Sequence, residues 1–246
     1  MSRYLIIINH RTLLTLVLSI LMPFLAYNFE VIYNIDLTLL SIAIIFPLVF
    51  TIRGAFRRRE KALEYLSRFR SSLKTVINVF QSSSKVPQEE KDHVSLILNE
   101  VNETLFDHLK TKEENFQPFD KKVEEFYSFL SEKSEVIGNG TREKSLRFFK
   151  DSVESADNLI AIHSHRTPVS LKAYCLIFIY IFPIIYTPTI INKIGYDTPS
   201  WLTFFIVILS EFILISLYNI QDQMEYPFDD EGLDDIKFDV FRVNRK

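Results

Sequence analysis

The chain has 246 residues and a formal net charge of −3 at pH 7, so it carries no electrostatic signature of nucleic-acid binding. Its single cysteine, Cys175, excludes a disulfide framework and a multi-thiolate zinc site within one chain. The five glycines argue against a glycine-rich nucleotide-binding fold. Hydrophobic residues make up 48% of the chain, which favours a membrane protein because charged soluble parts must be offset by very apolar segments.

Four apolar stretches predict membrane-spanning helices. They occupy residues 13–27, 37–52, 173–191 and 201–220. A helix that crosses a bilayer needs about 20 apolar residues, so the first two stretches are short for simple anchors. The alternative is a buried helical hairpin in a soluble protein. It is disfavoured because four such runs are too many for one soluble core.

The charges that flank these stretches predict their orientation. The connectors 28–36 and 192–200 contain one lysine between them and no arginine. The opposite ends carry basic residues, including the run Arg57, Arg58 and Arg59. Because lysine and arginine favour the cytoplasmic side, we expect both termini and the long middle segment to be cytoplasmic. The expected location is the inner or plasma membrane of the cell.

The middle segment is predicted to be helical, because apolar residues recur in it at the 3.6-residue spacing of amphipathic helices. The stretch "SSSKVPQ" separates its first helix from the second, and a third is predicted from Asp120 to Val136. Thr141 is the predicted N-cap of a fourth. The chain thus divides into residues 1–52 with two spans, a cytoplasmic helical region 53–172, residues 173–220 with two spans, and an acidic cytoplasmic tail 221–246.

One face of the second span carries three bulky side chains. Ile42, Phe46 and Phe50 stand four residues apart and therefore align over about 12 Å of helix. The ordinary interpretation is helix–helix packing or lipid contact. The alternative is a hydrophobic constriction on an ion path, to which identical chains in a ring each contribute one face. The basic cluster that follows, made of Arg53, Arg57, Arg58 and Arg59, would then raise the anion concentration at the inner mouth or act only as a topology signal.

Three motifs lie at characteristic places relative to the spans. The neck-like face is followed by "TIRGAFRRREKA", the third span is preceded by "RTPVSLKAY" (166–174), and the fourth is followed by "QMEYPFDDEGLDDIKFD" (223–239). Together with the order of the spans, they make the chain resemble the bestrophins, which are pentameric ion channels, mostly for chloride and other anions. The sequence departs from that family at "RRRE", which replaces a tryptophan-rich segment, and at Asp229, which replaces a glycine.

The resemblance implies an all-α, multi-pass, ring-shaped homo-oligomer, a pentamer, that conducts chloride or other small anions passively. It implies a pore neck at Ile42, Phe46 and Phe50 and a cytosolic constriction at Val169. Membrane lipids, the permeant ions and further copies of the chain are the expected partners. A cation-permeable channel of the same type and a non-conducting scaffold or sensor that acts through the cytoplasmic helices stay open as alternatives.

The acidic tail has two interpretations. Animal bestrophins bind calcium in the matching stretch, and carboxylate oxygens suit that ion. The alternative is a solvated acidic segment that pairs with basic residues of a neighbouring subunit, and no other cofactor is expected. The resemblance offers as calcium ligands Asp229, Asp230, Glu231, Asp234 and Asp235.

Glu211 lies near the middle of the fourth span, where an ionisable side chain is costly. It is expected to be a protonated carboxyl bonded to a nearby serine or tyrosine hydroxyl, or else a proton-sensitive or ion-path residue. The pair His163 and His165 lacks a third metal ligand. The sequence contains no nucleophile, phosphate-binding or zinc-protease motif, so we expect no enzyme activity.

Overall fold

A computed structural model describes residues 8–111, 115–230, 232 and 234–245, and every regular element in them is helical. The eight α-helices of these ranges are α1 (His10–Asn28), α2 (Leu37–Ser82), α3 (Gln88–Lys110), α4 (Gln117–Glu132), α5 (Ser134–Ile137), α6 (Asn139–Ser164), α7 (Val169–Ile194) and α8 (Ser200–Met224). A short 3₁₀ helix, Phe238–Phe241, follows in the tail.

The chain forms two compact units, which are described separately. The first contains residues 1–57 and 167–225, and the second contains residues 58–166 and 226–246. Helix α2 contributes to both, since it is 46 residues long and extends to Ser82, well past the predicted end of the second span at residue 52. The division of the chain into four parts at residues 52, 172 and 220 stays a prediction.

The first unit holds the apolar helices. Four helical stretches are long and apolar enough to cross a membrane: His10–Asn28, Leu37–Ser82, Asn139–Ile194 and Ser200–Met224. The third contains both α6 and α7, and its apolar part is α7. The predicted membrane segments therefore coincide with α1, the start of α2, α7 and α8.

Helix α1 turns small and polar residues to the interior of the first unit and large apolar residues to the surface. Helix α1 buries five small residues, Thr12, Thr15, Ser19, Pro23 and Ala26. Its Leu13, Val17 and Phe24 are about half exposed or more. This distribution is typical of membrane helices, because lipid provides no hydrophobic force between them and small residues let the backbones approach closely.

Four prolines interrupt the hydrogen-bonding ladders of the membrane helices, namely Pro23, Pro47, Pro183 and Pro188. A proline has no amide hydrogen, so the carbonyl four residues earlier loses its helical donor. Two tyrosine hydroxyls replace such donors. Tyr174 donates to the Ala43 carbonyl at 3.4 Å, four residues before Pro47, and Tyr33 donates to the Ile184 carbonyl at 3.3 Å, four residues before Pro188.

The second unit has a conventional hydrophobic core. The apolar stripes predicted for the cytoplasmic helices form this core, and Leu66, Phe69, Leu73, Val94 and Val101 are among its buried members. Helix α2 ends at Ser82 and α3 begins after Pro87, so the predicted break between them is confirmed. Burial of both stripes against each other is what stabilises this unit.

Two details of the predicted cytoplasmic helices are wrong. The third helix ends at Glu132, and the separate turn Ser134–Ile137 follows. Thr141 is not an N-cap, because α6 begins at Asn139. The physical reason is Gly138, whose φ of 78° ends α5 and turns the chain directly into α6.

From residue 226 the tail belongs to the second unit, and its apolar residues enter the core of that unit while Asp230, Asp234 and Asp239 stay exposed. Its buried residues are Phe228, Ile236, Phe238, Phe241 and Val243. The segment closes on itself where the Ile236 amide donates to the Pro227 carbonyl at 2.8 Å. Two arginines of α2 form hydrogen bonds to the backbone of the tail. Arg59 donates to the Asp234 carbonyl at 2.7 Å, and Arg70 donates to the Arg242 carbonyl at 3.0 Å.

Candidate functional site

The predicted neck residues lie on a largely exposed face of α2. Ile42, Phe46 and Phe50 are 47%, 56% and 60% exposed. At 100° per residue, the centre of this face lies about 170° around the helix from the centre of the buried face. That buried face consists of Ile44, Leu48, Thr51 and Ala55. Packing inside one chain therefore does not account for the three bulky residues. Their exposed surface is left to contact lipid, an ion path or another copy of the chain.

Two of the predicted arginines continue the neck face. Arg53 and Arg57 are exposed and fall within the same angular sector of α2 as Ile42 and Phe50. Helix α2 is unbroken here, so the apolar stripe passes into a basic stripe without a change of face. Any solute that follows this face meets three apolar side chains and then two guanidinium groups.

The other two arginines of the predicted cluster point elsewhere. Arg58 and Arg59 are both partly buried, and by helical rotation they lie outside the neck sector. Arg59 uses its Nε to hold the Asp234 carbonyl in the tail. The four arginines therefore do not share one face of α2, and Arg59 is engaged with the tail.

The two phenylalanines of the neck face contact each other. Their ring centroids are 6.0 Å apart and the ring planes are inclined by 44°. In such tilted pairs, part of each electropositive ring edge remains free to face a neighbour. An anion beside these rings would meet ring edges without meeting a formal charge.

Val169 is the first residue of α7 and is 81% exposed. Pro168, the residue before it, has non-helical backbone angles, φ −51° and ψ 128°, so the helix starts at Val169 itself. The side chain therefore stands free at the helix start, as a constriction formed by several copies of the chain requires. Its part in such a constriction stays a prediction.

The sequence reasoning missed an ion-pair cluster at the ends of α1, α7 and α8. Lys172 is bonded to Asp222 and, at 2.6 Å, to Glu225, whose side chain is 1% exposed. Arg11 bonds the second oxygen of Asp222 at 3.0 Å. Nearby, the Asn219 amide donates to the Thr12 hydroxyl at 2.9 Å. No motif marks these residues, and only their shared position at predicted span ends could have suggested the cluster.

The acidic residues of the tail form a carboxyl pair in place of a clear ion site. Asp235 shares a hydrogen bond with Asp229 and accepts one from the Gly232 amide at 2.6 Å. Burial, reinforced by the Asp229 charge, raises the pKa of Asp235 to about 6, against the effect of the Gly232 amide. Asp230 and Asp234 are exposed, and Glu231 lies outside the described residues. Within the described ranges, no three histidine, cysteine, aspartate or glutamate side chains converge on a metal position.

Glu211 is fully buried in α8, and neither of its carboxyl oxygens has a hydrogen-bond partner among the described residues. The expected bond to a serine or tyrosine hydroxyl is therefore not formed within the protomer. The neighbouring turns of α8 bury Val207 and Ile215. An apolar helical interior around an ionisable group is unusual and demands a chemical explanation.

Comparison with solved structures identifies the architecture. The chain matches the crystal structure of a bacterial bestrophin homologue from Klebsiella pneumoniae with a TM-score of 0.75 and 14% sequence identity, over 94% of this chain and 93% of that one. The fold is that of the bestrophins. Structures of two single-residue variants of that homologue match equally well, with TM-scores of 0.75 and 0.74 at 13% and 14% identity. Their coverage is 94% of this chain and 93% and 94% of theirs. No protein-family model and no curated protein matches the sequence.

The bestrophin fold is retained here at an identity too low for the sequence alone to establish descent. In this chain the fold consists of four apolar helices, a helical region inserted between the second and the third, and a tail that packs on that region. The predicted resemblance is therefore confirmed at the level of the fold.

Proposed function

We propose that the chain assembles into a ring-shaped homo-oligomer, a pentamer, and conducts chloride or other small anions passively across the inner or plasma membrane. The observation that carries the proposal is the outward apolar face of α2, on a chain with the bestrophin fold. Copies of this face around a common axis would line a neck with Ile42, Phe46 and Phe50. Both termini and the second compact unit would lie in the cytoplasm.

The chemistry of the neck favours weakly hydrated anions. An ion that passes rings of isoleucine and phenylalanine must shed part of its hydration shell, and apolar constrictions of this kind can also close by dewetting. The electropositive edges of Phe46 and Phe50 would partly replace the lost water. Arg53 and Arg57, on the same face of α2, would raise the local anion concentration at the inner mouth. Val169 would form the second, cytosolic constriction.

The test is current measurement in planar bilayers with purified protein under a salt gradient. We expect a reversal potential of the sign that anion conduction requires. The triple substitution Ile42→Ala, Phe46→Ala and Phe50→Ala should change conductance or open probability several-fold, because it widens and softens the constriction. Native mass spectrometry on the same material should give five copies of the chain.

A matched control exists on α8. Phe205, Leu209 and Ile213 have the same four-residue spacing, and they are 55%, 45% and 49% exposed. Alanine at all three removes a similar apolar face and should leave conductance unchanged. If both triple variants conduct like the unmodified chain, the neck assignment is wrong.

Two other results would replace the proposal with one of its alternatives. A reversal potential of opposite sign would make the protein a cation-permeable channel of the same fold. Absence of current from a confirmed pentamer would favour a scaffold or sensor that binds partners through α3 to α6.

A further inference from the structure

Glu211 is the starting point, because nothing in the proposed conduction mechanism uses it. Its exposed fraction is zero, and both oxygens lack hydrogen bonds within the described part of the chain. The residue lies on α8, which packs against α1 and α7. Its position in that three-helix interior follows from hydrogen bonds and ion pairs at the helix ends.

The register of α1 against α8 places Glu211 beside Ser19. Tyr27 bonds Thr203 near one end of the pair, and Asn9 bonds Asn219 near the other. These two pairs show that α1 and α8 run in opposite directions. Position 211 is midway between 203 and 219, so it lies level with position 18 of α1, which is midway between 27 and 9. Ser19, which is fully buried, lies within one residue of that level.

The register of α7 against α8 gives a second neighbour. Lys172 is bonded to Asp222, and the two helices run in opposite directions. Glu211 is eleven residues before Asp222, and the residue eleven positions after Lys172 is the buried Pro183. Glu211 therefore lies between two helices at levels where both are polar or interrupted.

No charge of the packed helices is available to neutralise an ionised Glu211. Residues 12–28 of α1, 37–52 of α2 and 173–192 of α7 contain no aspartate, glutamate, lysine, arginine or histidine, and Glu211 is the single one in residues 201–221 of α8. The neutral titratable groups on these segments are Tyr27, Tyr174, Cys175, Tyr180, Tyr186 and Tyr218.

The nearest charged residue along α8 is Asp222, about 16 Å away at 1.5 Å per residue. The cations at that end are already engaged, since Lys172 pairs with Asp222 and Glu225 and Arg11 pairs with Asp222. An isolated carboxylate in such surroundings costs far more free energy than a neutral carboxylic acid, which needs hydrogen-bond acceptors alone.

One carbonyl acceptor lies at the level of Glu211, on Ser19 of α1, and a second lies about one turn away, on Ile179 of α7. Pro23 removes the helical donor of the Ser19 carbonyl, and Pro183 removes that of the Ile179 carbonyl. Tyrosine hydroxyls serve the corresponding carbonyls of Ala43 and Ile184, whereas no side chain of the described residues donates to Ser19 or Ile179. A carboxylic acid carries the donor that these carbonyls lack.

We infer that Glu211 is an intramembrane proton-binding site, at which the carboxylate takes one proton from water and is held as the neutral acid between α1 and α7. Loss of that proton leaves a buried charge, so α8 must separate from its neighbours until water or a cation reaches the carboxylate. Proton occupancy is thereby coupled to the packing of α1, α7 and α8. This site is separate from the proposed neck, and its test requires no current.

The test is infrared spectroscopy of the protein reconstituted in lipid at neutral pH. A protonated carboxyl absorbs at higher frequency than a carboxylate, and we expect such a band to persist at neutral pH and to disappear at strongly alkaline pH. Isotope-labelled glutamate should shift the band and isotope-labelled aspartate should not, which separates Glu211 from Asp235. Glu211→Gln should remove the band completely.

Two controls keep the result decisive. Asp235→Asn should leave the band unchanged, because Asp235 is ionised above about pH 6. If the glutamine variant does not fold, the labelled, unsubstituted protein can still overturn the inference, because a protonated Glu211 requires a glutamate band at neutral pH. The inference is overturned if no glutamate band exists at neutral pH, because Glu211 would then be ionised. It is also overturned if the whole band remains in Glu211→Gln, because another glutamate would then carry the proton.

Discussion

Asp235 and Asp229 show how burial turns a pair of acids into one proton site. The Asp235 carboxyl is partly buried and shares its hydrogen bond with Asp229, and each of the two acids is next in sequence to a buried apolar residue, Ile236 and Phe228. A pKa of about 6 means that the folded turn binds a proton that the unfolded chain, at its ordinary value near 3.8, releases. The proton's contribution to stability is therefore complete below about pH 4 and is lost as the pH rises through 6.

The prediction at this scale is a tail turn that is more stable at pH 5 than at pH 7.5. Hydrogen exchange of the Ile236 amide, which donates to the Pro227 carbonyl, reports the opening of this turn. After correction for intrinsic exchange rates, its protection should fall as the pH rises through about 6. Asp235→Asn, whose amide cannot titrate, should show no such fall. Equal pH dependence in both proteins would contradict the carboxyl pair.

At the scale of a single element, prolines and tyrosines act together in the membrane helices. Each proline leaves a carbonyl without its helical donor, and an unpaired carbonyl in lipid is costly. Tyr174 supplies a donor to α2 at Ala43 from another helix, and Tyr33 supplies one to α7 at Ile184 from the loop after α1. The hydroxyl that pairs a proline-freed carbonyl thus also joins that helix to another part of the chain.

A double-mutant cycle tests this link. Tyr174→Phe should cost about 1 kcal/mol, because it removes the hydroxyl donor and leaves the Ala43 carbonyl unpaired. In a Pro47→Ala background the alanine amide restores the helical bond, so the same substitution should cost close to nothing. Thermal unfolding of the detergent-solubilised protein measures both values. If Tyr174→Phe costs the same in both backgrounds, the hydroxyl does not serve the proline-freed carbonyl.

The sequence predicts most of these elements because membrane helices and amphipathic helices carry strong periodic signals. It also predicts the candidate neck face, since the spacing of Ile42, Phe46 and Phe50 is a local property of one helix. The ion cluster of Lys172, Asp222 and Glu225 is not predictable in this way, because it joins positions about 50 residues apart. The 46-residue length of α2 was also missed, since the change from apolar to charged residues resembles an end.

At the scale of the molecule, the tail completes the second compact unit. Phe238 is 4% exposed and stacks on Phe106 of α3, with ring centroids 4.6 Å apart. Lys110 lies over the same ring, with its Nζ 5.5 Å from the centroid. The composition of the tail predicted a solvated segment because its acidic residues outnumber its aromatic ones. The aromatic residues nevertheless decide where it packs.

Phe238→Ala should therefore destabilise the second unit by about 3–5 kcal/mol, through lost burial and the cavity left against Phe106. Since 1.4 kcal/mol is a factor of ten, amides of α3 that exchange by unfolding of this unit should exchange roughly 100-fold faster or more. Val240→Ala is the matched control, because Val240 is 56% exposed and should change exchange little. Unchanged α3 protection in Phe238→Ala would show that the tail is dispensable.

The docked tail also constrains the order of events during synthesis. The ribosome adds residues at about 5–20 per second, and domains generally fold as units while they emerge. Residues 58–166 leave the exit tunnel well before the aromatic residues that close their core. Helices α7 and α8 are therefore synthesised while the core of residues 58–166 still lacks the aromatic residues that complete it. A nascent chain that stalls before Phe238 would remain a substrate for quality control.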